Sequence, residues 1–553
     1  MTATVMAIGL VLLGAVVAFQ VTTSGGPSDD RAGAGDPTEE ARPAAPAAGP
    51  AEVGEAGEAG ATDVVGAAAP LSAAPPEAGE GAARIRAENA RPGNPEWRID
   101  DGDARPRGIE GFTDRVSGQA GEPVRLFVRT PAPGYQVTAY RLGHYGGAGA
   151  RQVWQSPPIA SVPQPDCTVE PATRMVDCSN WAPSLTVDVG DDWVTGQYLF
   201  KLVPSTGSAS FVPYVVRDDR SRSDVLVVSD VTTLQAYNGW GGHSLYGGEG
   251  GRSTVVSFDR PLDTGWAMSG ILGDSYNVGV LVESMGLDVS YTTNVDQHER
   301  PELLRDHRVI VSGAHDEYYT LEMRNGLEAA REAGTNIVFL GANAVYRRIR
   351  LEPSPLGPSR RQVNFRDATA DPLYGVDPER VTASWRDAPA ARPESSLTGT
   401  YYECNEPGLR ADMVIVDASA WMFAGTNVVA GQRWPEVVRE EYDRVTPAAP
   451  TPPDIQVLAH SPLVCRGQAS FSDMAYYTAP SGAGVFDTGT LGFEPRLGPL
   501  CAPAELTPER WECQLRQMTA NVIADFATGP AGHRHPSVPN LAALGIGAGR
   551  AHG

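Results

Sequence analysis

Basic residues are in deficit in this chain. Over 553 residues, 44 Lys and Arg stand against 67 Asp and Glu, a formal net charge of −23. That balance argues against nucleic acid and anionic membrane surfaces as partners. No Cys-x-x-Cys occurs, so a structural zinc site is not expected. No Gly-x-Ser-x-Gly elbow stands at a predicted strand end, and no cysteine follows the predicted strands ending at Ser229, Ser312 or Leu340. Serine- and cysteine-nucleophile hydrolysis therefore find no support. Charge is missing altogether from Thr2 to Gln20, a run long enough to cross a bilayer. A positive n-region and a clean small-x-small cleavage site are missing too. Residues 1–23 read as a signal-anchor or signal peptide, with an uncleaved anchor favoured. Aromatic residues are scarce from 24 to 91, where Ala, Gly, Pro and Glu dominate. Such a segment cannot bury enough apolar surface to offset the entropy of ordering, and it reads as a disordered acidic stalk.

What is present beyond the stalk is enough chain for two or three domains. Six cysteines, Cys167, Cys178, Cys404, Cys465, Cys501 and Cys513, fit an oxidising compartment. Fifteen pairings are open to them; Cys167 with Cys178 and Cys501 with Cys513 would close short loops, leaving Cys404 with Cys465. With the amino-terminal run, this places the protein at the outer face of the cell membrane or in the secreted fraction. From 92 to 220, short runs such as Val124–Val128, Tyr135–Tyr140 and Tyr198–Leu202 alternate with Gly and Pro turns, which predicts an immunoglobulin-like β-sandwich. Gly196-Gln-Tyr198 fits a tyrosine corner, in which the hydroxyl bonds upstream backbone.

Residues 221–528 change pattern. Asp224–Ser229, Leu287–Tyr291, Arg308–Ser312 and Asn336–Leu340 are apolar runs separated by helix-like stretches, the β-α-β order of a doubly wound parallel sheet. Thr320 is placed to cap the helix after the third run and Gly334 to end it. Between about Arg350 and Pro453 the pattern loosens into loops, a closing helix runs from Glu509 to Phe526, and residues 529–553 read as a disordered tail. Ligands in open α/β sheets bind beyond the carboxyl ends of the strands. Three loops converge there: Gln235–Tyr246, rich in Gly, aromatic and amide residues; Gly313-Ala-His-Asp-Glu-Tyr318; and Gly341-Ala-Asn343. Asp316 could cap the helix at Thr320, Trp240 could line a substrate pocket or close its loop, and His243 is an exposed acid/base candidate.

Ala236–Tyr246, Gly313–Tyr318 and Gly341–Asn343, with Arg141-Leu-Gly-His-Tyr-Gly-Gly147 and Ser481–Thr490, resemble the carboxyl-terminal region of the N,N-dimethylformamidase large (beta) subunit. The resemblance spans roughly Ile109 to Phe526. It implies a mononuclear ferric iron held by two tyrosines and a glutamate, used to hydrolyse an amide. Residue by residue it points to Glu317 and Tyr237 as ligands, Tyr198 as the second tyrosine, and His315 and Asn343 as neighbouring catalytic residues. Phenolate and carboxylate oxygens suit such an ion. The relative has a separate small subunit, and this chain adds an amino-terminal membrane segment, a stalk and cysteines. Three readings follow: an iron-dependent hydrolase of a small amide, a non-catalytic binder of surface polymer or carbohydrate, or a scaffold with a degenerate site.

Overall fold

The computed structural model describes residues 79–99, 108–263, 268, 270, 276–313 and 315–547. The expectations for residues 1–23, and for the stalk up to residue 78, lie outside these. The structure is β-rich, with several sheets and few helices.

Its central element is a seven-stranded sheet of β1 (Val225–Ser229), β2 (Val289–Thr293), β3 (Val309–Ser312), β4 (Asn336–Phe339), β5 (Gln456–Cys465), β6 (Gln468–Thr478) and β7 (Gly484–Asp487). The order is β2-β1-β3-β4-β7-β6-β5. The first five run parallel, and β6 and β5 add an antiparallel hairpin at one edge. Every residue of β1, β3 and β4 is buried, as their unbroken β-branched runs require of strands covered on both faces. Alternate residues serve opposite faces. Val225, Val227, Val309, Val311 and Val338 pack with α3 (Tyr276–Ser284) and α6 (Trp511–Phe526), whereas Leu226, Val228, Ile310, Ile337 and Phe339 pack with α5 (Leu321–Glu332). Short helices α2 (Val231–Tyr237) and α4 (Asn294–Glu299) follow β1 and β2. Thr320 caps α5 by accepting from Met323 N at 3.2 Å.

Residues 110–217 form a three-stranded and a six-stranded antiparallel-rich sheet around their own core of Val124, Leu126, Val137, Phe200, Val212 and neighbours, with a two-stranded ribbon, Thr168–Glu170 with Met175–Asp177, besides. Residues 73–553 make up one compact unit that contains both sets of sheets.

Several sequence expectations need correction. The carboxyl end of the expected stalk is helix α1 (Glu80–Asn89), whose Ile85 and Glu88 are buried. The tail is structured from 529 to 547: Asn540 bonds the backbone of Val457 in both directions, and Leu541, Leu544 and Ile546 pack on the α5 side of the sheet. Its apolar residues are few, but they fall where a groove receives them. The stretch expected to be loops contains a long two-stranded ribbon, Tyr401–Val414 with Arg433–Arg444. Three register shifts break its period of two, which hid it from pattern reading. The three disulfides are Cys167–Cys178, Cys404–Cys465 and Cys501–Cys513.

Candidate functional site

Three parallel strands deliver the site. Beyond β1, α2 ends at Tyr237, and the following loop folds back so that Leu245 N bonds Ala236 O at 3.0 Å. This turn stacks the Tyr246 ring on Tyr237, with centroids 4.0 Å apart. Beyond β3, the backbone of Glu317 is clamped on both sides: its N–H donates to Thr233 Oγ1 at 3.0 Å, and its carbonyl accepts from Arg347 N at 2.9 Å. Beyond β4, Asn343 adopts a left-handed backbone with φ of 57°. Both carboxylate oxygens of Asp443 hold its N–H, at 2.8 and 3.1 Å.

Side chains meet at the Glu317 carboxylate. Tyr246 donates its hydroxyl to Oε2 at 2.9 Å and Tyr237 does so at 3.3 Å. Tyr318 donates to the Tyr246 hydroxyl at 2.8 Å. His315 Nε2 lies 3.5 Å from the same Oε2 and 3.2 Å from Glu441 Oε2, while Arg347 Nε approaches Oε1 at 3.4 Å. Glu441, carried by the bulged ribbon, also accepts from Asn343 Nδ2 at 2.9 Å. Asn343 Oδ1 is buried with no hydrogen-bond partner among the described residues. The result is a continuous polar line: Tyr318, Tyr246, Glu317, His315, Glu441, Asn343.

Electrostatics follow from burial. Desolvation, reinforced by the Glu317 charge, raises the Tyr237 and Tyr246 phenols well above their ordinary value. Burial alone would lower His315, but Glu441 and then Glu317 outweigh it and lift the imidazole to about 9. Glu441 is opposed by burial yet held low by His315, Asn405 and Asn343. The line is therefore built around buried charges in contact, the setting in which side chains acquire altered acidity for chemistry.

Not every expected residue arrives. Tyr198 is buried in the core of residues 110–217, stacked on Trp193 at 5.0 Å, and donates its hydroxyl to Val194 O at 2.6 Å. That is the tyrosine corner its sequence context suggested, so this hydroxyl is committed to backbone and Tyr246 stands beside Glu317 instead. Trp240 bonds Glu110 Oε2 at 2.9 Å and meets Trp181 edge-on, closing its loop onto residues 110–181 rather than lining the cluster. No hydrogen bond or ion pair joins the half-buried His243 to the cluster among the described residues; its carbonyl accepts from Arg260 at 2.8 Å. Asp316 does not cap α5: it is buried and accepts from Ser312, Tyr319 and Asn294. Sequence reasoning missed Tyr246, Glu441 and Arg347. Tyr246 stood inside a quoted motif; Glu441 had no signal, because its ribbon is irregular.

Among the described residues no three His, Cys, Asp or Glu side chains gather as a metal site. The donors that do gather are one carboxylate and two phenols. They fit a hard, highly charged ion: both hydroxyls already point at one Glu317 oxygen, and a cation there would favour the deprotonated phenols that burial now disfavours.

A mostly β protein with a buried tyrosine–carboxylate–histidine line at a parallel-sheet edge is the class defined so far. The family model for the N,N-dimethylformamidase beta subunit-like, C-terminal region matches residues 136–505, and the chain belongs to that family. No curated protein matches. Among solved structures, a cycloisomaltooligosaccharide glucanotransferase from Paenibacillus sp., complexed with cycloisomaltoheptaose, aligns over 67% of this chain and 66% of its own. Identity is 8% and the TM-score 0.16, so that likeness carries no argument.

Proposed function

We propose that this chain is a metal-dependent hydrolase acting on the C–N bond of an amide, with iron held by Tyr237, Tyr246 and Glu317. The convergence of two phenol hydroxyls on one carboxylate oxygen, 2.9 and 3.3 Å away, carries this reading. A ferric ion, when bound, supplies Lewis acidity toward a carbonyl or a water. The protein's own groups do the rest. In the overall reaction a water oxygen bonds the carbonyl carbon, the C–N bond breaks, and the nitrogen leaves with a proton. His315, between Glu317 and Glu441, is placed to move that proton. Glu441 and Asn343 fix His315 from the far side, and the unpartnered Asn343 Oδ1 offers an acceptor to a substrate N–H. Arg347 steadies the Glu317 charge.

The architecture behind it is read as an immunoglobulin-like sandwich (92–220) and a doubly wound α/β domain (221–528), carried on an anchor and stalk at the outer face of the cell membrane. Among the described residues no helix is long and apolar enough to cross a membrane, and the apolar run at 2–20 lies outside them.

The test is iron analysis with a visible absorption spectrum of protein produced with iron, followed by an amide panel. Ferric tyrosinate gives a charge-transfer band, and Glu317→Ala should abolish both band and bound iron. Protein that takes up no transition metal and hydrolyses no amide would end this reading.

A further inference from the structure

The substrate of the proposed reaction is open, and one side chain at the edge of the cluster bears on it. Tyr246 is 40% exposed although its hydroxyl lies inside against Glu317 and Tyr318, so its ring marks where the site meets solvent. The Arg366 guanidinium lies 4.2 Å above that ring, and its Nη2 is 3.4 Å from the Tyr318 hydroxyl. Arg347 meets Glu317, Arg350 meets Asp371 and Arg386 meets Glu394, whereas Arg348 bonds only backbone carbonyls. Arg366 has no carboxylate within ion-pair distance among the described residues, and its buried Nε has no hydrogen-bond partner.

The backbone adds an independent observation. Arg366 has φ of 60°, a left-handed conformation that costs a side-chain-bearing residue on the order of 1 kcal/mol or more. The preceding residues hold it there. Asn364 bonds Arg348 O at 2.9 Å, Phe365 N bonds Thr382 Oγ1 at 2.9 Å, and Phe365 O accepts from Arg252 at 2.7 Å. A strained, pinned position thus holds a cation over the site's exposed ring; the guanidinium fork has Nη2 on the Tyr318 hydroxyl at 3.4 Å and no carboxylate among the described residues. That fork matches a carboxylate in two parallel hydrogen bonds. A cation covering an aromatic ring needs no strained backbone.

We infer that Arg366 receives a carboxylate carried by the substrate, so that the site takes anionic amides of the N-acyl amino acid class in preference to neutral dialkyl amides. The amide part rests on the function proposed above; the carboxylate part rests on Arg366 alone. Three contacts, Arg366–Tyr318, Tyr318–Tyr246 and Tyr246–Glu317, separate the guanidinium from the reacting end. A carboxylate one or two bonds from the amide suits that separation.

Binding decides the matter without turnover. N-formylglycine and its neutral counterpart N-formylglycinamide are titrated calorimetrically, at low salt, into wild type, Arg366→Gln and Arg366→Lys, each checked by thermal melting. Wild type should bind the carboxylate at least tenfold more tightly than the carboxamide. Arg366→Gln should lose that discrimination, and Arg366→Lys should keep part of it. Equal affinity of wild type for the two ligands, no binding of either, or discrimination surviving in Arg366→Gln overturns the inference. The two proposals fail separately. N-formylglycine bound through Arg366 but not hydrolysed by iron-loaded protein removes the hydrolase and leaves the carboxylate site. Hydrolysis of both compounds with equal kcat/KM does the reverse.

Discussion

Glu317 Oε2 accepts from two phenols within 3.3 Å, and the identity of the second phenol is the sharpest residue-level question. Tyr246→Phe should lose most of the bound iron and its colour. Tyr198→Phe should keep both and instead destabilise the protein by about 1 kcal/mol, because Val194 O loses its 2.6 Å donor and keeps only Arg141 Nε at 3.4 Å. Metal content and urea unfolding of the two variants separate the roles; loss of iron in Tyr198→Phe alone would reverse the assignment. A second residue-level case lies just behind Asn343. Asp443 and Asp487 are both buried, and Thr400 Oγ1 contacts each, at 3.5 and 2.5 Å. Burial lifts Asp487 to about 7, and burial with the Asp487 charge lifts Asp443 well above the carboxylate range, so the pair holds a proton near neutrality. The folded state then binds a proton that the unfolded chain releases near pH 3.9. Stability from this pair is complete below that pH and is lost as pH rises through about 7, at no more than about 1.4 kcal/mol per pH unit for one proton. Asp487→Asn removes the titration, so its stability relative to wild type should improve from pH 4 to pH 7. Parallel pH profiles for the two proteins would contradict the shared proton.

At the level of elements, the bulged ribbon Tyr401–Val414/Arg433–Arg444 completes the site by carrying Glu441 and Asp443 over the carboxyl edge of the sheet. Cys404–Cys465 ties it to the end of β5 across 61 residues of sequence. By loop-closure entropy, replacing both cysteines with serine should cost about 4 kcal/mol. Because Glu441 lies opposite Asn405 on the strand paired with the tethered one, the same variant should lower kcat for amide hydrolysis more than it lowers iron content. Thermal melting and single-turnover assays measure the two effects, and an unchanged melt would remove the tether from the account. The contrast with β1, β3 and β4 shows what was legible in the sequence. Those strands are buried on both faces, so Val225–Ser229, Val309–Ser312 and Asn336–Phe339 had to be continuous apolar runs, and the loops after them gave Tyr237, Glu317, His315 and Asn343. The ribbon faces partly outward, and Glu436 and Glu440 sit at positive φ of 50° and 42°. Neither period two nor turn chemistry survives there, so Glu441 was invisible. Gly489, at φ 64°, was readable only as part of a motif; in the structure a Cβ there would overlap Asp473 O, so β7 can reach the Asp443 strand only with glycine. The tail failed for another reason: its order comes from hydrogen bonds to β5 and β6, distant in sequence.

Among the described residues, the sheets of residues 110–217 and the seven-stranded sheet meet around an ion pair with no exposed surface. Arg141, from the strand Gly134–Leu142, bonds Glu283 of α3 at 2.6 and 3.1 Å, and both side chains are 0% exposed. Tyr291 of β2 and Asn89 of α1 complete the Glu283 carboxylate at 2.9 and 2.7 Å, while Thr195 O accepts from Arg141 at 2.8 Å. Arg141 lies in the stretch matched by the family model, and here its side chain serves assembly. Attraction at this separation is offset by the desolvation of both charges, and the pair need not stabilise the fold relative to apolar partners. Removing one partner is another matter, because the remaining charge is buried alone. Glu283→Leu and Arg141→Met should each cost about 3–5 kcal/mol. The double variant Arg141→Met/Glu283→Leu should cost clearly less than the two single costs added, since neither charge is then stranded. Urea unfolding of the four proteins gives this cycle directly. Costs that add, within about 0.5 kcal/mol, would mean that the two groups act independently and that other contacts, such as Arg217 with Asp296 at 2.9 Å, hold these sheets together.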